Sequence, residues 1–195
     1  RLQILRWKKA LDFSGGQDTA SSVNSLRVDE QDRTHVLIRT NSVGNGSWNI
    51  AKFALTKEGG LDADPKQHIV FGGPSTNVAY DVRSTHDKSL LFAFGDTSTL
   101  NAVVVKIDTA TSGITEAKEI SLGSAYDFPG YVFETLDGNR VVIFASKNSL
   151  SGSWRIAVAE NDAKQGVVKW ARVIDGVGSF DMGLAGCEVD GQYII

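Results

Sequence analysis

The residues with the clearest chemical potential are three aspartates, Asp18, Asp127 and Asp181. Asp18 and Asp181 lie 163 positions apart, and Asp127 precedes Asp181 by 54. Two of them follow an aromatic residue, in Tyr126-Asp127-Phe128-Pro129-Gly130 and Phe180-Asp181-Met182-Gly183. Carboxylates interleaved with rings suit a sugar, a peptide or a cation, because the acids accept hydrogen bonds and the rings offer apolar faces. The competing role is local: an Asp in a loop bonds nearby backbone N–H groups and fixes the turn. Gly73-Pro74-Ser75 stands at the corresponding place between Asp18 and Asp127, so a complete ring of acids is not expected. The candidate partner-binding residues are Asp18, Tyr126, Asp127, Phe128, Phe180 and Asp181.

Other chemistry is sparse. There is no Gly-x-Ser-x-Gly elbow, and Gly44-Asn45-Gly46 lies between strand-like runs rather than before a helix, as a phosphate loop would. The histidines His35, His68 and His86 are far apart and lack metal-ligand spacing. His35 and His86 read as solvated residues near turns. Asp62-Ala63-Asp64 faintly suggests a calcium loop, but no ligand series follows. No catalytic, cofactor or metal residue is therefore assigned. Carboxylate pairs for glycoside hydrolysis depend on the fold for their partners. The single cysteine, Cys187, rules out an internal disulfide and reads as a small buried residue in a strand. Asn45-Gly46-Ser47 is a glycosylation sequon in a turn-like stretch, which makes Asn45 a candidate attachment site and points to an extracellular or cell-surface location. A net charge of −3 with no run of Lys or Arg argues against nucleic acid. No apolar run approaches the roughly 18 residues of a membrane span.

The elements that must position these residues are β-strands. With 20 glycines against 3 prolines, tight turns are abundant, and no stretch of helical length keeps a 3.6-residue period. A strand is expected in 1–13, then at 23–28, 35–40, 48–55 and 68–71. The pattern restarts at 77–82, 89–94, 101–108 and 117–122. It restarts again at 131–136, 140–146, 154–160 and 167–174, and a last round opens at 184–189. Trp48, Asn101 and Trp154 are each 53 apart and each begins a third strand. Gly59, Gly113 and Gly166 are 54 and 53 apart and close the turn before a fourth strand. Trp7 and Trp170 stand 163 apart, or three periods.

A period near 50 residues with four short strands per unit predicts an all-β fold of β-propeller type, built from four-stranded antiparallel blades of about 53–54 residues. A β-sandwich also uses short strands, but gives no reason for turn glycines at fixed spacing. The expected organisation is one propeller region: the last strand of a blade in 1–13, blades at about 20–72, 76–123 and 130–175, and the start of another at 182–195. Three full blades are fewer than usually close a ring, so a partial propeller, continued by further blades of a longer protein, is expected.

Ile107-Asp108-Thr109-Ala110-Thr111-Ser112-Gly113 and Gly166-Val167-Val168-Lys169-Trp170 resemble the repeat of quinoprotein-like propellers, in which a hydrophobic residue, an Asp, a Thr-Gly turn and a Trp follow in order. The third blade has the Trp, with Glu160 where the Asp would stand. The resemblance extends to the wider WD40-like group, although the Gly-His and Trp-Asp pairs of true WD40 blades are absent. It implies the fold. It implies no quinone or other cofactor, since no cofactor-binding residue carries over.

The leading expectation is a non-catalytic binding or scaffolding propeller that engages a protein or carbohydrate partner through inter-blade loops. One alternative is a propeller enzyme, either a glycan-active hydrolase or lyase or a quinoprotein-like oxidoreductase. Another is a structural subunit of an extracellular filament or surface assembly. The four tryptophans read as blade-packing residues.

Overall fold

The computed structural model describes residues 18–20, 26–41, 49–71, 77–96, 99–149, 151–174 and 185–195. Trp7, Asn45, Trp48, Phe180 and Asp181 lie outside the described residues, as does the strand expected in 1–13. The fold is all-β. The only helix among the described residues is one 3-10 turn, Pro65–Gln67.

Sheet I comprises β1 (Asp18–Ala20), β2 (Leu26–Val28), β3 (Thr34–Thr40), β4 (Asn49–Leu55) and β5 (Ile69–Phe71). Sheet II comprises β6 (Asn77–Ser84), β7 (Leu90–Asp96), β8 (Asn101–Ile107) and β9 (Ile114–Ile120). Sheet III comprises β10 (Tyr126–Glu134), β11 (Arg140–Lys147), β12 (Arg155–Asn161) and β13 (Val168–Ile174). A hairpin, sheet IV, is formed by β14 (Cys187–Val189) and β15 (Gln192–Ile194). Sheets II and III are antiparallel meanders in sequence order. In sheet I both β1 and β2 pair with β3, so its first strand comes in two pieces.

The repeat extends to individual backbone bonds. In the first hairpin of sheets I, II and III, the amides of Asp29, Thr85 and Thr135 donate to the carbonyls of Arg33, Ser89 and Asn139. The amides of Asp32, Lys88 and Gly138 donate back to Asp29, Thr85 and Thr135. These three residues all have positive φ, at 58°, 65° and 81°. The third hairpins repeat likewise. Asp108 Oδ1 accepts the amides of Ala110 and Thr111, and Asp162 Oδ1 accepts those of Lys164 and Gln165. Asp162, not Glu160, therefore holds the turn position of the repeat in sheet III. Glu160 lies two residues earlier within β12, paired with Trp170.

First strands carry a further shared feature. The ladder slips between Ala79 and Asp81 in β6, and between Pro129 and Tyr131 in β10. The unpaired residue in β10 is Gly130; Pro129 stays in register opposite Phe144 and is tolerated because β10 is the edge strand of its sheet. Pro129-Gly130 thus does not break the strand. β10 begins at Tyr126, five residues earlier than the sequence pattern suggests, and Tyr126, Asp127 and Phe128 belong to a strand instead of a loop.

Side-chain alternation gives each sheet two apolar faces, and the sheets stack to cover them. Leu37 and Ile50 of sheet I pack with Val82, Leu90, Phe92, Phe94, Val105 and Ile107 of sheet II. The other face of sheet II, with Leu91, Ala93, Ala102, Val104 and Ile120, packs against Val132, Val142, Phe144, Ala157 and Ala159 of sheet III. Tyr131, Phe133, Val141, Ile143 and Val158 form the far face of sheet III, where Tyr193 of sheet IV settles beside Trp170. Each fully buried Val, Leu, Ile or Phe contributes about 1.5–3 kcal/mol. The stack therefore holds most of the stability.

Three residues depart from their sequence-based expectation. His35 sits in β3 and is buried, not solvated, because its strand position faces sheet II. Cys187 does lie in a strand but is exposed, since β14 alternates outward there. Gly113 has an ordinary φ, and Ser112 takes the left-handed position of the turn, at φ 57°, where sheets I and III use Gly59 and Gly166. A non-glycine residue there is strained, and the Ser112 hydroxyl is buried without a hydrogen-bond partner. Ser112→Gly should raise stability by about 1 kcal/mol, seen as a melting temperature about 2–4 °C higher in calorimetry.

Candidate functional site: an aromatic cluster at the start of the third sheet

β10 opens with Tyr126, Asp127 and Phe128, opposite Lys147, Ser146 and Ala145 of β11. Alternation sends Asp127 to one face of the sheet and the two rings to the other. The carboxylate and the aromatics thus do not act on a common ligand.

Asp127 is fully buried. Its Oδ2 accepts the Leu122 amide at 2.8 Å, and its Oδ1 accepts the Ser146 hydroxyl at 2.9 Å. The Ser146 Oγ also lies 3.0 Å from Ser124 Oγ. The Asp127 amide donates to the Leu100 carbonyl, at the turn between β7 and β8. One residue thereby ties together sheet II, the connection into sheet III and β11, a fuller version of the loop-fixing role. By register, Asp18 opposite Thr40 and Asn77 opposite Asp96 occupy the same place in sheets I and II. Asn77, not Gly73-Pro74-Ser75, is therefore the counterpart in sheet II.

Tyr126 and Phe128 meet Trp154, which immediately precedes β12. Ring centroids are 5.9 Å apart for Tyr126–Phe128 and for Tyr126–Trp154, and 6.1 Å for Phe128–Trp154. Lys147 Nζ sits 5.5 Å from the Trp154 ring centroid, within cation–π range. All three rings are part-buried, so the cluster packs together and still presents apolar surface. Gly95 of β7 makes room for it: a Cβ there would come within 2.3 Å of Phe128 Cδ1. Chemically, the arrangement offers stacking and apolar contact beside one cation. Sequence reasoning found Tyr126 and Phe128 and assigned Trp154 to packing. It missed Lys147, because only strand pairing sets that residue beside the rings.

The opposite end of the sheets carries most of the described charge, in clips that join one sheet to the next. Glu134, closing β10, accepts the His86 amide of sheet II through Oε2 at 2.5 Å. Its Oε1 accepts Arg140 Nη1 at 2.8 Å, and Arg140 also reaches Glu116 of sheet II at 2.9 Å. Glu188 repeats the clip one sheet later, accepting the Leu136 amide at 2.8 Å. Glu160 is saturated by four donors: Asn139 Nδ2 at 2.8 Å, Lys169 Nζ at 2.7 Å, Trp170 Nε1 at 2.7 Å and the Tyr193 hydroxyl at 2.9 Å. Burial opposes its ionisation, but these bonds outweigh it and hold the carboxyl below its usual range. Burial and the bond to Glu160 push the Tyr193 phenol up.

Between sheets I and II the positions of Glu134 and Arg140 are held by Ser84 and Leu90, and a buried polar group lies instead within sheet I. His35 Nε2 is 2.7 Å from Asp29 Oδ2, which also binds Arg33 Nε at 2.7 Å. Burial, then the Lys52 charge, pull the His35 pKa down against the Asp29 bond. Burial of the Asp29 carboxyl is outweighed by the His35 and Arg33 bonds, which keep it low. Buried Lys52 donates to Gln67 Oε1 at 3.0 Å and to its carbonyl at 3.2 Å. Asp62 Oδ1 accepts the Asp64 amide, and Asp64 Oδ1 caps the 3-10 turn at Lys66, so both serve as loop caps.

No known protein family and no curated protein matches this chain.

Two outcomes test this geometry. Asp127→Ala, which strands the Leu122 amide and the Ser146 hydroxyl, should cost about 2–4 kcal/mol in denaturant melts, and Asp127→Asn should cost less. Burial and the Arg33 charge lower the Lys52 pKa from 10.5 to about 8. The unfolded chain then binds more protons above that pH, so wild type should gain stability as pH rises from about 8 to 10. Lys52→Met should lose this gain, read as the wild-type minus variant difference in unfolding free energy across that range.

Proposed function

We propose that the chain is a non-catalytic binding or scaffolding module, built as part of a β-propeller of quinoprotein-like and WD40-like type, that engages a protein or carbohydrate partner through the strand ends bearing Tyr126, Phe128 and Trp154. The observation that carries this reading is the chemical difference between the two ends of the sheets. At one end Glu116, Glu134 and Glu160 are engaged in structural clips. At the other, three rings and a lysine present apolar and cationic surface. Aromatic rings with apolar bodies and polar edges are the usual anchors for sugars and protein surfaces.

The propeller reading is supported by repeated antiparallel sheets stacked face to face, with the first strands β6 and β10 each lying against the sheet before it. The sequon at Asn45 favours an extracellular or cell-surface setting.

A glycan array and a panel of extracellular protein fragments, probed with wild type and with Trp154→Ala, test the binding role. Wild type is expected to select a ligand, and Trp154→Ala to weaken that binding at least tenfold with an unchanged circular dichroism spectrum. Equal binding by a folded variant, or no ligand in either set, would overturn the proposal.

A further inference from the structure

The first hairpins of sheets I and II face each other across a cleft, at a place where the next two junctions hold a carboxylate. Glu30, His86 and Leu136 occupy the same position in their hairpins, each following the residue whose amide closes the turn. The His86 amide donates to Glu134 and the Leu136 amide to Glu188, each acid reaching back from the following sheet. The Glu30 amide has no such acceptor among the described residues, because Ser84 stands where sheet III has Glu134. Leu90 likewise stands where sheet III has Arg140. The two shorter side chains leave a cleft of about 230 Å³, whose walls include Val28, Glu30, Ser84, Lys88 and Leu90. The strands and turns on both sides of it are described throughout, over residues 26–41 and 77–96. Lys88 Nζ stands at the rim, 4.0 Å from Glu30 Oε1, and both side chains are largely exposed. Asp29 also borders the cleft, but its carboxylate is held by Arg33 Nε and His35 Nε2, each at 2.7 Å.

We infer that this cleft is a binding site for a single carboxylate carried on a short apolar stem. The carboxylate takes the place that Glu134 fills one junction later. It accepts the Glu30 amide and the Ser84 hydroxyl and pairs with the Lys88 ammonium, while the stem lies against Val28 and Leu90. A backbone amide, a hydroxyl and a cation converging on one anion give short, charge-assisted bonds, and the apolar walls fix the direction of the stem. Ligand pockets usually span about 300–1,000 Å³. This cleft is smaller, so it admits a small acid or one acidic side chain. The site lies at the opposite end of the sheets from the ring cluster and does not depend on that cluster binding a ligand.

The test titrates sodium butyrate into the protein at constant ionic strength and follows the Glu30 amide by NMR. That amide should move downfield and saturate at millimolar butyrate, and butyramide, which has the same stem without the charge, should bind at least tenfold more weakly. Ser84→Glu, at an exposed position, puts the missing carboxylate on the chain. It should move the Glu30 amide downfield without ligand and weaken butyrate binding at least tenfold. Lys88→Gln should weaken butyrate binding at least tenfold with the same melting temperature. A capped peptide with one glutamate between glycines assigns the source of the carboxylate: tighter binding than butyrate means the side chain of a partner protein, weaker binding a free acid. No saturable shift of the Glu30 amide with either probe would overturn the inference. So would equal binding of butyramide, or undiminished butyrate binding by folded Ser84→Glu.

Discussion

Sheet-on-sheet burial is the constraint on which the rest of this structure depends. A single four-stranded sheet with apolar residues on both faces is not stable in water. Sheets II and III each have two such faces: both faces of sheet II pack against a neighbouring sheet, and sheet III packs against sheet II on one face and against Tyr193 of sheet IV on the other. The four-strand unit, the short hairpins and the packing of β6 and β10 against the preceding sheet are ways of meeting that one requirement. Polar clips then fix the register between sheets. Glu134 and Glu188 perform this task through backbone amides, which keeps the clip indifferent to the residue at the other end: His86 in one case and Leu136 in the other.

The junction between sheets I and II solves the same problem differently. Ser84 and Leu90 replace the Glu134 and Arg140 pair, Arg33 Nη2 instead donates to the Thr109 carbonyl across the junction at 2.7 Å, and His35 and Lys52 stand where sheets II and III have Leu91 and Val104, or Val141 and Val158. Polar groups in an apolar layer cost stability unless they are paired, and here Asp29, Arg33 and Gln67 partner them. The repeat is therefore conserved in backbone geometry and variable in the chemistry that seals it.

The two ends of the sheets have separated duties. One end is knitted by ion pairs and backbone clips. At the other, among the described residues, Asp127 ties sheet III to its neighbour, its carboxylate used up by the Leu122 amide and the Ser146 hydroxyl. That structural use of the acid leaves the rings on the opposite face as the surface with chemistry to spare.

Much of the fold was legible in the sequence, because strand alternation and turn residues are local properties. Gly59 and Gly166 occupy left-handed turn positions, and the hairpin loops around Asp137-Gly138 and Asp190-Gly191 fall where their residue types place them. The site was less legible. Tyr126-Asp127-Phe128 looked like one binding motif, yet a strand points neighbouring residues in opposite directions, and the Pro129 bulge concealed that a strand was present. Glu160 passed for a turn residue until register placed it within β12, beneath Tyr193 of the next sheet. The sequence alone determined the β-rich class, the four-strand repeat and its turns, since each follows from interactions within a few residues. Only the tertiary structure decided which carboxylates are buried, which rings meet Trp154 and which strands pack across the sheets. Those outcomes depend on contacts between strands far apart in the chain, and local pattern carries no information about them.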